Sequence, residues 1–495
     1  MSERELKLAL PGRFALPPLT LGQEPLDVVV LPDLNLRATY YDTPDLRLAR
    51  HGVTLRYRTG EDAGPMWTLK LPIRNEGSTT ERNEWHLDGP GREPPARARS
   101  LVTAYARRAP LGAVATLRIR RRRMHLVNPE ADVPVAEVDV DEVSVVEGRR
   151  IVSRFRELEV EDLRGDLDLA ILGEQLTEAG ATGAEPIPKV VRALGSRATA
   201  PPDAHLAPMP DEPTMADALR AALADAIARL VKNDPLARMG DAEGIHQVRV
   251  AIRRLRSDLR TLADAVDPGW RATVEPQLQA IGHSLADARD LDVLIDGLHA
   301  TGDLAVSLRP FFAEMDGRRR AAQTRLQAAM EAPEYAALLD VLVAGVSAPP
   351  VGPAANASAD AVLPDLAMEA WDRFRKRARD LAADRPDDEF HRARIAAKRA
   401  RYASELAGRV LPDRRDDAQR FADRLATAQD QLGLGQDAAF AEAAIRSTMR
   451  GRGVAYAFEA GRLVERQRAR SAAARVAFLD SWSELKRKRW RKWAS

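Results

Sequence analysis

Two periods of hydrophobic repetition divide the chain. Up to about Leu194, apolar and charged residues alternate with period two in short runs, the pattern of half-buried strands. Glu3-Arg4-Glu5-Leu6-Lys7-Leu8, Val53-Thr54-Leu55-Arg56-Tyr57-Arg58 and Thr116-Leu117-Arg118-Ile119-Arg120 are examples. Turn-forming stretches such as Gly60-Glu61-Asp62-Ala63-Gly64-Pro65 separate them. The pattern predicts about eight strands, with helices near Pro95–Arg107 and Leu167–Ala179. Beyond a Pro/Ala-rich stretch from Ala198 to Pro213 the period becomes helical, in long Ala/Leu/Arg segments. A second break, Ser347-Ala348-Pro349-Pro350-Val351-Gly352-Pro353, splits the helical part.

The expected organisation is therefore a strand-rich α+β domain over 1–195, a linker over 196–211 and an all-α domain over 212–495. The two helical halves, about 212–346 and 363–495, repeat each other. Arg249, Arg253, Arg254 and Arg256 follow His246 at the same offsets at which Arg394, Lys398, Arg399 and Arg401 follow His391. Downstream, Leu285 to Asp290 corresponds to Leu432 to Asp437, with Gln436 where the first copy has Arg289.

Residues two apart on a strand share a face. Glu3, Glu5 and Lys7 therefore project together, as do Arg56 with Arg58, Arg82 with Glu84, Arg118 with Arg120, Glu137 with Asp139, and Glu157 with Glu159. Periodicity alone describes an antiparallel sheet with one solvated face equally well. The segregation of charge adds something. Some strands offer only carboxylates, which suit Mg²⁺ or Mn²⁺. Others offer only guanidinium groups, with Lys7 and Lys70 added, and these suit phosphate oxygens. A closed eight-stranded barrel lined by both sets would hold a polyphosphate bridged by metal ions. Such a site needs no nucleophilic side chain.

Composition narrows the classes. The 495 residues carry 75 basic and 73 acidic side chains, a near-balance that argues against a bulk nucleic-acid coat. There is no cysteine, which removes disulfides and thiolate metal sites and fits a reducing compartment. No segment has the apolar length of a membrane span, and no apolar leader follows Met1. The expectation is a cytoplasmic protein, with association to polyphosphate granules left open.

Glu3-Arg4-Glu5-Leu6-Lys7 resembles the Glu-x-Glu-x-Lys signature of the CYTH, or triphosphate tunnel metalloenzyme, family. Tyr40-Tyr41-Asp42-Thr43-Pro44-Asp45-Leu46, Leu55-Arg56-Tyr57-Arg58, Trp67-Thr68-Leu69-Lys70, Glu81-Arg82-Asn83-Glu84, Ala136-Glu137-Val138-Asp139, Glu157-Leu158-Glu159 and Pro188-Lys189-Val190-Val191-Arg192 follow in the family's order. The resemblance implies a closed antiparallel β tunnel with flanking helices and hydrolysis of a triphosphate, inorganic tripolyphosphate being the substrate we expect. It implies that Arg56, Arg58, Lys70, Arg118 and Arg120 hold the phosphates, with Arg82 beside them. It implies Glu3, Glu5, Glu157 and Glu159 as ligands of Mg²⁺ or Mn²⁺, Glu137 and Asp139 as positioners or activators of water, and Lys7 and Lys189 on the substrate or leaving group. An idle tunnel that only binds, or an adenylyl cyclase using the same residues, remain alternatives.

In the helical part, His246, Arg249, Arg253 and Arg256 fall on one stripe, as do His391, Arg394, Lys398 and Arg401. One such stripe is an ordinary solvated face. Two copies without a carboxylate suggest a groove for a long anion. The paired histidines resemble the defining feature of CHAD domains, the conserved histidine α-helical domains, over about residues 212–495. That resemblance implies binding of long-chain inorganic polyphosphate. Few aromatics sit in the stripes to stack bases, so no specific nucleic-acid partner is expected. The basic, Trp-containing tail from Lys486 to Trp493 is either a contact for an acidic polymer or a solubilised helix end.

Overall fold

A computed structural model describes residues 2–494 apart from 23, 62, 77–78, 131, 184–186 and 301–304, and excludes the side chains of Ser2, Glu3 and residues 74–80. The chain divides into two compact units, Met1–Asp203 and Ala204–Ser495.

In the first unit eight long strands close into a ring: β1 (Ser2–Ala9), β2 (Leu34–Asp42), β3 (Thr54–Thr59), β4 (Met66–Glu76), β5 (Thr79–Leu87), β6 (Gly112–Asn128), β7 (Val133–Glu147) and β8 (Arg150–Asp162). The order around it is β7-β8-β1-β5-β4-β3-β2-β6, and β6 pairs with β7 to complete the circuit. Every pairing is antiparallel. Closure removes the sheet edges, and alternation sends every second side chain into the interior.

Both faces of several strands are buried, for different reasons. Outside, Leu6 and Leu8 of β1, Val138 and Val140 of β7 and Leu158 and Val160 of β8 pack with Leu169, Leu172 and Leu176 of α1 (Leu169–Glu178). Gly173 of α1 packs beside Leu6, whose methyls an added Cβ would touch at 3.4 Å, an ordinary contact. Inside, one end of the barrel is filled by Leu36, Leu117, Ile119 and Val143, joined by Val190 and Val191 of α2 (Lys189–Leu194). The rest of the interior is charged.

The second unit is helical, as the 3.6-residue period predicts. Its long helices are α3 (Met215–Arg238), α4 (Ala242–Thr261), α5 (Pro268–His299), α6 (Arg309–Glu331), α7 (Pro333–Ser347), α8 (Ala359–Ala378), α9 (Asp387–Val410), α10 (Arg415–Ser447) and α11 (Val454–Leu485). Thr214 and Asp217 form a capping box that starts α3, and the Asp267 side chain caps α5 ahead of Pro268. The two repeated His/basic segments are α4 and α9, which pack against each other. Among the described residues no helix is long and apolar enough to cross a membrane.

Candidate functional site

The charged interior of the barrel is a cavity of about 530 Å³. Strand parity decides who enters it. Thr54, Arg56 and Arg58 enter from β3, Lys70 from β4, Arg82, Glu84 and His86 from β5, Arg121 from β6, and Glu137 and Asp139 from β7. Glu5 and Lys7 enter from β1, Glu159 and Glu161 from β8, and Lys189 from the N-terminal turn of α2. The barrel thus gathers cations from one arc of the ring and carboxylates from another.

The carboxylate arc is tied together by three cations. Lys189 Nζ lies 3.0 Å from Asp141 Oδ2 and 2.8 Å from Glu159 Oε1, and is also paired with Glu157. Arg121 grips Asp141 through two 2.8 Å hydrogen bonds, donates to Glu159 at 3.0 Å and pairs with Asp139. Lys7 Nζ is 3.2 Å from Glu5 Oε1 and hydrogen-bonds Glu159. Further along, Arg123 Nε donates to Glu137 at 3.0 Å, and His125 Nε2 stands 3.2 Å from the other oxygen of Glu137. On the cation arc, Lys70 is 2.8 Å from Glu84, Arg58 pairs with Glu61, and Arg56 bonds Tyr40.

Burial would neutralise isolated carboxyls here, so the neighbours decide each charge. Burial opposes the Glu159 charge, but Lys189, Lys7 and Arg121 hold this carboxyl well below the usual range. Burial raises Glu157 despite Lys189. Asp139 is pushed up to about 7 by burial and by Asp141, Glu159 and Glu137, against the pull of Arg121. Arg58 is pushed down to about 10 by burial and the adjacent Arg56 charge.

The cavity suits a hard divalent cation. One oxygen from each of Asp141, Glu157 and Glu159 lies within 4.8 Å of the others. Asp139 Oδ1 and Glu5 Oε1 are buried and accept no hydrogen bond among the described residues, although the Lys7 ammonium is near the latter. Lone pairs left in this state are what a metal ion would use.

The structure brings together most of the residues singled out in the sequence: Glu5, Lys7, Arg56, Arg58, Lys70, Arg82, Glu137, Asp139, Glu159 and Lys189 line the cavity, and Glu157 joins through Lys189. Glu3 belongs to β1 opposite Arg82, and its side chain lies outside the described ones. Arg118 and Arg120 do not reach the cavity; both are exposed on the outer face of β6. Arg121 and Arg123, one residue out of phase with them, supply that strand's cations to the carboxylates. The alternation of Leu117 and Ile119 with arginine points the wrong way, because these two apolar residues fill the barrel's closed end and not its outside. Asp141 and Glu161 merely extend the alternations Glu137-x-Asp139 and Glu157-x-Glu159, a signal already present in the sequence.

In the helical unit, α4 and α9 set their basic stripes against each other, and the side chains, apart from the exposed His391, are half-buried rather than freely solvated. Burial and the charges of Arg394, Arg253 and Arg249 push Lys398 down to about 7. Burial, Arg253 and Arg249 lower Arg394 as well. His246 is lowered by burial and by Arg289. Arg253 donates to Tyr402 Oη at 2.9 Å, and His391 Nδ1 stands 2.8 Å from Gln436. The Arg394 guanidinium lies beside Gly433 of α10, where an added Cβ would be in ordinary van der Waals contact with it at 3.4 Å. The stripes are not without counter-charge: Asp290 of α5 is 3.0 Å from Arg249, and Asp437 of α10 faces Arg394. Arg256 reaches Gln279 at 3.4 Å, and Arg401 reaches Glu405 at 2.8 Å.

Comparison with known proteins agrees with this division. Residues 1–193 match the CYTH domain family and residues 221–446 the CHAD domain family. An uncharacterized protein of Mycobacterium tuberculosis, Rv2226, is 32% identical over 408 residues, which cover 76% of this chain and 77% of that one. Among solved structures, the CHAD domain from the plant Ricinus communis shows 25% identity and a TM-score of 0.48, covering 57% of this chain and 95% of that one. PptA from Streptomyces chartreusis shows 24% identity and a TM-score of 0.46, covering 55% and 99%.

Proposed function

The chain belongs to the proteins that carry a CYTH domain followed by a CHAD domain, and from this we propose that its tunnel hydrolyses inorganic tripolyphosphate with Mg²⁺ or Mn²⁺ while its helical unit binds long-chain polyphosphate. CYTH tunnels are metal-dependent enzymes, triphosphatases or cyclases. The observation that carries the finer reading is one cavity inside the closed barrel, with Arg56, Arg58, Lys70 and Arg82 on one arc and Glu5, Asp139 and Glu159 on another, Glu157 joining them through Lys189. That arrangement grips a phosphate chain by its oxygens and leaves carboxylates for the cations that would bridge it.

Glu5, Glu157 and Glu159 are the residues that would hold the ion, with Asp141 beside them and Glu3 of β1 as a further ligand. When bound, Mg²⁺ or Mn²⁺ would neutralise phosphate charge and polarise the bond to be broken. The chain's own residues do the rest. Arg56 and Arg58 fix the oxygens on the β3 side, and Lys70 and Arg82 on the β4 and β5 sides. Glu137 and Asp139 orient a water toward the terminal phosphorus, and Asp139 accepts its proton. Lys7 and Lys189 neutralise charge on the leaving group. Arg121 is a positioning residue, fixing Asp139, Asp141 and Glu159 at once. Most of the described residues that line the cavity are charged, which suits a phosphate chain and favours tripolyphosphate over ATP.

In the helical unit, Arg249, Arg253, Arg394 and Lys398 form the centre of the polyphosphate groove, with His246, Arg256, His391 and Arg401 along the same stripes. The test of the tunnel is phosphate release by the purified chain. Glu5→Gln keeps size and removes a ligand, and should lower turnover by about 10²-fold or more. Full activity in that variant, or in a chelator, contradicts the proposal.

A further inference from the structure

Arg118 and Arg120 stand outside the tunnel, and their place on the outer face of β6 has a definite shape. The inter-strand register sets Arg37 of β2 opposite Arg118, Arg118 opposite Ser144 of β7, and Ser144 opposite Arg154 of β8. These four residues form one transverse row across four neighbouring strands. At about 4.8 Å per strand the row spans roughly 14 Å. It runs along a recess of about 790 Å³ on the outer wall of the barrel.

The row is not balanced. Arg37, Arg118 and Arg154 are exposed, and among the described residues none has an ion pair. Like charges directly opposite one another, as Arg37 and Arg118 are, destabilise a sheet. The next row, Asn35–Arg120–Glu142–Arg156, shows the ordinary solution. There Glu142 stands between two arginines, Arg120 is 3.7 Å from Asp33, and Arg156 donates to the carbonyls of Pro11 and Gly12 at 2.9 and 2.8 Å. One row is paid with counter-charges and the other is left open.

We infer that the Arg37–Arg118–Arg154 row is a second phosphate-chain site, on the outside of the tunnel domain, and that its ligand is inorganic polyphosphate. A single file of guanidinium forks at strand spacing matches a linear anion with a charge on every unit. The recess offers no free aromatic face for a base: its Phe155 belongs to the opposite strand face and is covered by the Arg192 guanidinium at 4.5 Å. The site does not depend on turnover in the tunnel. It lies on the back of the same strand that turns Arg121 inward, so a chain held here rests against the tunnel's own wall.

The experiment uses the full chain with Arg253→Glu and Lys398→Glu already in place, which removes the helical groove. Long-chain polyphosphate is titrated at several salt concentrations, before and after adding Arg118→Gln and Arg154→Gln. We expect affinity to fall about tenfold or more, and the magnitude of the log–log salt slope to fall by about 0.7–0.9 per lost contact. Unchanged affinity and slope overturn the site, and duplex DNA competing as well as polyphosphate overturns its ligand class. A second measurement needs no variant. Phenylglyoxal modification of the unaltered chain, read by mass spectrometry, should be suppressed at Arg37, Arg118 and Arg154 by polyphosphate; equal labelling with and without it contradicts the inference.

Discussion

Replacing Lys189 by Met should separate the two kinds of positive charge on which the tunnel depends. The Lys189 ammonium is buried and contacts Asp141, Glu157 and Glu159 at once. Methionine keeps most of the apolar stem but leaves these carboxylates within 4.8 Å of one another. At that distance and an effective dielectric of 20, each ionised pair repels by about 3.5 kcal/mol. Arg121 still compensates Asp141 and Glu159, and one carboxyl can take up a proton. The net loss should therefore fall near the roughly 3–5 kcal/mol seen when one member of a buried pair is removed. For a unit of this size that is a fall of roughly 6–20 °C in Tm. Scanning calorimetry in a chelator should show this drop in the tunnel unit alone. Added Mg²⁺ or Mn²⁺ should recover a large part of it, because a divalent cation can replace the missing ammonium between the carboxylates. A variant that melts within a degree or two of the parent in chelator, or that ignores both metals, would refute the electrostatic account.

Four further outcomes follow from the geometry of the two units. Arg121→Gln should cut kcat for tripolyphosphate by about 10²-fold with little change in KM, whereas Arg122→Gln, one residue along and on the exposed face of β6, should stay within about twofold. Lys398 is held near 7, so it is neutral in the free groove at pH 9 and must gain a proton to pair with phosphate. Polyphosphate affinity should therefore weaken by up to about tenfold per pH unit above 7, and titrations of Lys398→Gln between pH 7 and 9 should lose that dependence. The same depressed value means the unfolded chain binds the proton more tightly, so the parent's helical unit should gain stability as pH rises from about 7 toward the ordinary lysine range. Arg253→Glu with Lys398→Glu should abolish binding of long-chain polyphosphate to the groove, leaving only residual, salt-sensitive binding to the rest of the chain, and should leave phosphate release from tripolyphosphate intact.

Much of this was legible in the sequence, because alternation is a direct record of which face a residue takes. Glu5 with Lys7, Arg56 with Arg58 and Glu157 with Glu159 reach one interior because each pair shares a strand parity that turns inward. The failure at β6 has a physical cause. From Arg120 to Arg123 both parities are arginine, so the only local cue is Leu117 and Ile119. In an open sheet these would mark the core face and leave the arginines on the other side. In a closed barrel the interior is apolar at one end and charged at the other, and the same parity serves both. Only the pairing of Arg121 with Asp141 across β6 and β7 resolves this, and register between strands is not written in either strand alone. The two basic stripes were legible for the opposite reason: a duplicated set of offsets gives two independent readings of the same face. Asp290 and Asp437, which lie on α5 and α10, could be assigned to those stripes only once the helices were packed.

The proposed function stands on turnover of tripolyphosphate in the tunnel. Its most direct test is a single panel on the purified full chain, with tripolyphosphate, ATP and long-chain polyphosphate as substrates, each with Mg²⁺, with Mn²⁺ and with a chelator, and with phosphate, pyrophosphate and cyclic AMP all measured. Metal-dependent release of phosphate is expected, with the highest kcat/KM for tripolyphosphate and no cyclic AMP. Cyclic AMP with pyrophosphate from ATP, or tight binding of tripolyphosphate with no product under either metal, would contradict it.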